Sequence, residues 1–197
     1  MWNEVEMYDY LHDKLHEKRF RHSLSVSDTA VALAIKYGAN IQSARIAGLV
    51  HDCGKNMTDE QLIKVAKEHE VQLDEIYFRN PSLLHGVVGS IIAREVMGIV
   101  DEDIINAICY HTTGRKNMSI LEKIIFIADY TEPLRQCAGV EELRNLSMKD
   151  LDAAVIKCLE NTIKYVVEQK ILLHNDTIDA RNYLLCENSR WDYEKNS

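Results

Sequence analysis

Eight histidines punctuate the chain, and their surroundings divide them. His12, His16 and His69 lie among Asp, Lys and Glu, on segments that read as solvated helix faces. His22, His51, His85 and His111 do not. His51-Asp52 closes the apolar run Ala47-Gly48-Leu49-Val50, where a charged side chain is costly unless it is paired or bound to a cation. His85 stands between Leu84 and Gly86-Val87-Val88, His111 closes the stretch from Ile104 to Tyr110, and Asp129 closes Ile124-Ile125-Phe126-Ile127-Ala128. His22 heads another apolar-striped segment. One such histidine reads as a hydrogen-bonded core residue, whereas four of them with two aspartates, on five segments, read as a shared metal site. Imidazole and carboxylate without thiolate suit iron, manganese or zinc in a reactive site rather than a closed structural zinc. Neighbouring helical residues diverge by about 100°, so His51 and Asp52 address one centre only where their helix is finishing. A carboxylate can bridge two cations, which one imidazole cannot. Lys55 follows across Gly54, and its ammonium is placed to reach a phosphate oxygen, although a solvated lysine accounts for it equally well.

The elements that must position these groups are helical nearly everywhere, because two prolines and eight glycines leave little punctuation. Met7/Tyr8, Leu11 and Leu15 form a first stripe. A second segment begins near His22 and stops at Tyr37-Gly38, glycine being the natural left-handed stop. A third, near Gln42 to Val50, is apolar on most sides. Thr58-Asp59-Glu60-Gln61 has capping-box spacing. Pro81-Ser82 opens the next helix, with Gly98 after its end. Helices at Asp103 to Tyr110 and Leu121 to Asp129 follow, then the longest pattern from Ser147, then a last helix capped by Thr177. The expectation is an all-α fold, a bundle of about eight to ten helices in a single domain over 1–197. The motif-bearing core covers about 19–135, the C-terminal helices about 147–188, and a polar frayed tail 189–197.

Composition bounds the function. The 197 residues carry 23 Lys+Arg against 31 Asp+Glu, a net charge of −8, with 46% hydrophobic and 27% charged residues. This is a globular composition, long enough for a real core and short enough for one domain. The acidic balance argues against a nucleic-acid binder or a membrane-surface protein. A small anionic substrate stays compatible, since a bound cation reverses the local sign. The five cysteines, at 53, 109, 137, 158 and 186, hold no pair two or three residues apart, so neither a zinc ribbon nor a redox dithiol is written here. Reduced thiols, the lack of a secretory apolar region and the lack of an apolar run near ~20 residues point to the cytoplasm.

The ordered set His22, His51-Asp52 and Asp129 resembles the HD superfamily of metal-dependent phosphohydrolases. The resemblance goes further. Arg19-Phe20-Arg21-His22-Ser23-Leu24, Leu49 with His51-Asp52 and Lys55, His85-Gly86, His111-Thr112-Thr113-Gly114, and Ile127-Ala128-Asp129-Tyr130-Thr131-Glu132-Pro133 with Arg135 together resemble the YqeK family. So does the closing stretch His174-Asn175-Asp176-Thr177-Ile178-Asp179-Ala180-Arg181-Asn182. That family comprises bacterial symmetrical diadenosine tetraphosphatases with a di-iron centre.

Carried over by position, the resemblance implies one metal held by His22, His51, Asp52 and Asp129, and a second held by Asp52 as bridge with His85 and His111. The cofactor is then two divalent metal ions, iron by implication, with manganese or cobalt as alternatives. Two cations would acidify a water and polarise a phosphoryl oxygen, so that attack on diadenosine tetraphosphate at its central bridge yields two ADP. Asp52 and Lys55 are the catalytic candidates. Lys55, Arg135, Thr112, His85, His111 and Arg181 are the candidates for contacts with substrate, Arg135 because its planar fork suits two oxygens. Thr112 reads equally as a backbone cap, and Arg135 as an ion-pair partner of Glu132 or Glu141. Glu132 reads as a support for a ligand or as a solvated glutamate, and His174 with Arg181 as an approach to base or phosphate. Competing readings are an HD phosphohydrolase for another nucleotide (a nucleotidase, an alarmone hydrolase or a cyclic nucleotide phosphodiesterase) and a non-catalytic nucleotide-binding helical scaffold. The expected partner is a dinucleoside polyphosphate, with neither nucleic acid nor membrane. The apolar residues between Ser147 and Lys170 fit either a homodimer face or core packing.

Overall fold

The structure, a computed structural model, describes residues 1–193, with side chains described through residue 188. Among these residues there are eleven α-helices and no strand: α1 Glu4–Lys14, α2 Glu17–Tyr37, α3 Ile41–Val50, α4 Asp59–Glu68, α5 Glu75–Arg79, α6 Leu84–Glu95, α7 Glu102–Tyr110, α8 Ile120–Thr131, α9 Val140–Ser147, α10 Leu151–Glu168 and α11 Asn175–Tyr193. A 3-10 turn at Pro81–Leu83 leads into α6. The all-α expectation holds, with more helices than the range expected. The short helices α5 and α9 escaped sequence reading because neither is long enough to show a periodic stripe.

Local chemistry sets most boundaries. Thr58 and Gln61 form a reciprocal capping box at α4, as Ser119 and Glu122 do at α8. Gly38 ends α2 in the left-handed region at φ 67°. Other boundaries differ from expectation. Helix α2 starts at Glu17, so His22 lies inside the helix rather than at its head. Ser147 ends α9, and α10 is started by Asp150, whose carboxylate accepts the Ala153 N–H at 3.0 Å. Helix α11 starts at Asn175, so Thr177 is buried in its first turn instead of capping it. The helix also continues through residues 189–193, into the stretch expected to fray; residues 194–197 lie outside the described ones.

Helices α2, α3, α7 and α8 pack around the centre, with α6 against α7, α10 against α8 and α9, and α11 against α10. A smaller apolar cluster of Leu62, Ala66, Leu84 and Val88 fastens α4 to α6. The core therefore surrounds the ends of α3, α6 and α7, where His51, His85 and His111 stand, and the buried face of α2 that carries His22. One glycine governs how closely two of those helices approach. A Cβ on Gly86 would stand 2.7 Å from the Cys109 carbonyl oxygen, so only glycine lets α6 lie on the end of α7. In α10, Leu151, Ala154, Val155, Cys158 and Leu159 are core, whereas Tyr165 and Val167 are exposed.

Candidate metal centre

Asp52 sits at the middle of the site, 2% exposed, and its two oxygens face different neighbours. Oδ1 lies 3.2 Å from His85 Nε2 and 3.6 Å from His111 Nε2. Oδ2 lies 3.4 Å from His51 Nε2 and 3.8 Å from His22 Nε2. Asp129 Oδ1 closes the second side, 2.9 Å from His22 Nε2 and 3.9 Å from His51 Nε2. The donor atoms of His22, His51 and Asp129 all lie within 4.8 Å of one another, and so do those of His51, Asp52 and His111. His85 Nε2 and His111 Nε2 are 3.1 Å apart.

The imidazoles are oriented by one repeated device. His51 Nδ1 donates to the Gly48 carbonyl at 2.8 Å, His111 Nδ1 to the Ile108 carbonyl at 2.7 Å, and His85 Nδ1 to the Ser82 carbonyl. Each acceptor lies three residues earlier: Gly48 and Ile108 in the last turns of α3 and α7, where carbonyls are left unused, and Ser82 in the 3-10 turn that leads into α6. A carbonyl only accepts, so Nδ1 carries the proton and Nε2 turns its lone pair inward. His22 differs: its Nδ1 donates to the Glu132 carboxylate at 3.0 Å, across 110 residues of sequence. Glu132 is 1% exposed and also accepts the Leu134 N–H at 2.6 Å, so it supports His22 rather than meeting solvent.

Without a cation this arrangement is unsatisfied. His22 Nε2, His51 Nε2 and Asp52 Oδ1 are buried and lack a hydrogen bond of acceptable geometry, although they converge. Burial raises the Asp52 carboxyl, but the facing His51, His111 and His85 imidazoles outweigh it and hold it well below the usual carboxylate range. Asp129 is likewise lowered against the effect of burial by His22, His51 and Arg135. Burial, reinforced by His111 and Lys55, pulls the His85 imidazole down despite Asp52, which favours the neutral ring that a metal requires. A buried set of ionised carboxylates and inward lone pairs is the donor chemistry of a divalent cation site.

The six side chains expected to be ligands thus come together. Lys55 joins them: its Nζ is 3.3 Å from both ring nitrogens of His85, and burial lowers its ammonium. Arg135 does not pair with Glu132 or Glu141. It forks onto Asp129, Nε on the backbone oxygen at 3.0 Å and a terminal nitrogen on Oδ1 at 2.8 Å. Thr112 is half-buried directly after His111. Arg181 is placed elsewhere, its guanidinium on Glu160 of α10 at 3.0 and 2.7 Å.

Two arginines gained roles that sequence reading did not assign. Arg19 donates to Asp52 Oδ2 at 2.6 Å; its position, one turn before His22 on the same helix face, was the available signal. Arg144 of α9 donates to the carbonyls of Thr131 and Glu132 at 2.7 Å and of Arg135 at 2.8 Å. It ties down the chain leaving α8, from which Asp129, Glu132 and Arg135 act. No local pattern marked it.

An all-helical fold centred on these histidines and aspartates defines a class, and comparison with known families agrees. The chain belongs to the HD domain family, whose model matches residues 19–134. Among curated relatives, the symmetrical bis(5'-nucleosyl)-tetraphosphatase of Halalkalibacterium halodurans is 43% identical over 173 residues, covering 88% of this chain and 92% of that protein. The Bacillus subtilis protein of the same name is 35% identical, covering 93% of this chain and 98% of its own. A crystal structure from Clostridium acetobutylicum, described as a predicted HD superfamily hydrolase involved in NAD metabolism, superposes with a TM-score of 0.93. It is 50% identical and covers 95% of this chain and 99% of that one.

Proposed function

We infer that this chain is a metal-dependent phosphoanhydride hydrolase that cleaves diadenosine tetraphosphate symmetrically to two ADP. The observation that carries the metal chemistry is the division of Asp52, whose Oδ1 addresses His85 and His111 while Oδ2 addresses His51 and His22. The substrate follows from relatives bearing the tetraphosphatase name at 35–43% identity over most of the chain.

The residues fit two divalent ions with Asp52 shared between them, His22, His51 and Asp129 on one side and His85 and His111 on the other. Iron is our assignment, with manganese or cobalt as alternatives. When bound, such ions supply a nucleophile at neutral pH and polarise a phosphoryl oxygen. The chain's own groups do the rest. Arg19, Lys55 and Arg135 gather positive charge at one site of a protein whose net charge is −8, which lets it receive a polyphosphate. Arg135 holds Asp129 with Nε and one terminal nitrogen, which leaves the N–H groups of its other terminal nitrogen for a phosphate oxygen. Thr112, half-buried directly after His111, is our candidate for a hydrogen bond to a phosphate. Glu132 fixes the His22 ring and tautomer. No helix among the described residues is long and apolar enough to cross a membrane, and we place the enzyme in the cytoplasm.

The test is incubation of reduced protein with ferrous iron and diadenosine tetraphosphate, resolving the nucleotides by ion exchange. ADP alone is the expected product. ATP with AMP would overturn the symmetrical cleavage, and no turnover by metal-loaded protein would overturn the substrate. Asp52→Ala should abolish turnover by several orders of magnitude with helical content retained. A variant that keeps turning over would remove Asp52 from the chemistry.

A further inference from the structure

A short turn after α8 carries two side chains that reach back into the metal centre. Helix α8 ends at Thr131, and Glu132 is held extended, with ψ 149°, by the proline that follows it. The backbone then folds over, the Arg135 N–H reaching the Glu132 carbonyl at 3.0 Å. From one end of this turn the Glu132 carboxylate meets His22 Nδ1; from the other, Arg135 forks onto Asp129.

Arg144 grips both ends of that turn. Its Nη2 donates to the Glu132 carbonyl at 2.7 Å and to the Arg135 carbonyl at 2.8 Å, while Nε donates to the Thr131 carbonyl at 2.7 Å. Its Nη1 meets the Glu141 carboxylate. We propose that Arg144 is a positioning residue for the metal centre: one guanidinium sets the support of His22 and the placement of Arg135 together. The Arg135 half of this inference rests on the function proposed above.

A helix end leaves carbonyls without partners and carries the negative pole of the helix dipole, and any cation there would answer both. Holding three carbonyls in fixed mutual directions asks for more, a rigid planar fork rather than a point charge. The base of the fork is fixed too. Val140 and Leu143 of α9 are 6% and 1% exposed and anchor the helix in the core. The Arg144 side chain is 25% exposed against 76% for Glu141, so its outer ion pair faces solvent and contributes little. The hydrogen bonds of Arg144 go to three backbone carbonyls and Glu141, so its influence on the centre runs through the turn. The Glu132–His22 contact is 3.0 Å and the Arg135–Asp129 contact 2.8 Å, and groups in such sites must be held within about 0.5 Å.

Arg144→Lys keeps the positive charge at the end of α8 and removes the fork. In the full-length protein, calorimetric titration with manganese should show affinity lowered about three- to tenfold, short of the 10–100-fold that loss of a direct support brings. ADP should bind the manganese-loaded variant about threefold more weakly. Leu143→Val, which thins the core beside Arg144, controls for lowered stability alone: Tm should fall while manganese affinity stays at the parent's value. In a Glu132→Gln background, Arg144→Lys should cost no more than about twofold further in manganese affinity, because the path through Glu132 is already cut. Arg144→Gln, which also lacks the fork, replaces Arg144→Lys with the same expectations if the lysine variant fails to fold. Parent-like manganese affinity would overturn the proposal, as would an equal loss in Leu143→Val or a fully additive loss in the double variant. Manganese binding needs no turnover. If wild-type protein fails to cleave the dinucleotide yet shows this coupling, the cleavage reading falls and the positioning role is supported.

Discussion

Glu132→Gln tests how far the metal centre depends on a group that touches no metal. The carboxylate is 1% exposed and uses both oxygens as acceptors, Oε1 for His22 Nδ1–H at 3.0 Å and Oε2 for the Leu134 N–H at 2.6 Å. Glutamine keeps the shape but has one acceptor oxygen and one NH₂. Whichever way the amide turns, a donor faces a donor at one end. A buried donor left in that state costs about 1–3 kcal/mol. For a chain of this size each kcal/mol moves Tm by about 2–4 °C, so metal-free protein should melt roughly 2–12 °C lower. The second effect is on His22. Loss of the carboxylate makes its imidazole a poorer donor, and losses of this kind weaken metal affinity by about 10–100-fold. Calorimetric titration with manganese, alongside thermal melts of metal-free protein, reads the two effects separately. Activity should fall at limiting metal and recover as metal is raised. Metal affinity and Tm both equal to the parent's would refute the reasoning, because Glu132 would then be neither support nor acceptor.

Three further outcomes are expected. Chelation should lower Tm without unfolding the helices. At a metal concentration of 100 times Kd the lost stabilisation is about 2.7 kcal/mol, or roughly 5–11 °C; collapse of the circular dichroism spectrum on chelation would instead indicate a structural metal. Gly86→Ala puts a Cβ 2.7 Å from the Cys109 carbonyl oxygen, so α6 and α7 must separate. Manganese titration should show weakened binding, and parent-like affinity would show that the His85 and His111 pair tolerates the shift. Burial, aided by Asp52, pushes the Cys53 thiol up to about 12, while Cys137 is exposed. Iodoacetamide at pH 8 followed by peptide mass mapping should label Cys137 and spare Cys53 in native protein, since the reactive thiolate is absent at Cys53 far below its pKa.

The candidate metal ligands were legible because they break a local rule. His51-Asp52, His111 and Asp129 each close an apolar run, and charge at such places needs a partner that sequence can register without knowing what it is. The positively charged groups were harder to read. Lys55 and Arg135 look like ordinary surface residues in sequence, yet Lys55 lies against His85 and Arg135 forks onto Asp129. Arg181, singled out for substrate, pairs with Glu160. Helices α5 and α9 were invisible for want of length, and with α9 went Arg144.

The sequence by itself determined the all-helical fold and most helix ends, and it picked out the six side chains that converge. Periodicity, capping and the cost of burying charge all act over a turn or two of chain, so they can be read locally. Only the tertiary structure decided that Asp52 turns one oxygen to each group of histidines, that Arg19 meets that carboxylate, and that His22 leans on Glu132. These depend on how helices far apart in sequence cross, and the direction of a carboxylate oxygen is fixed by neighbours that local spacing does not specify.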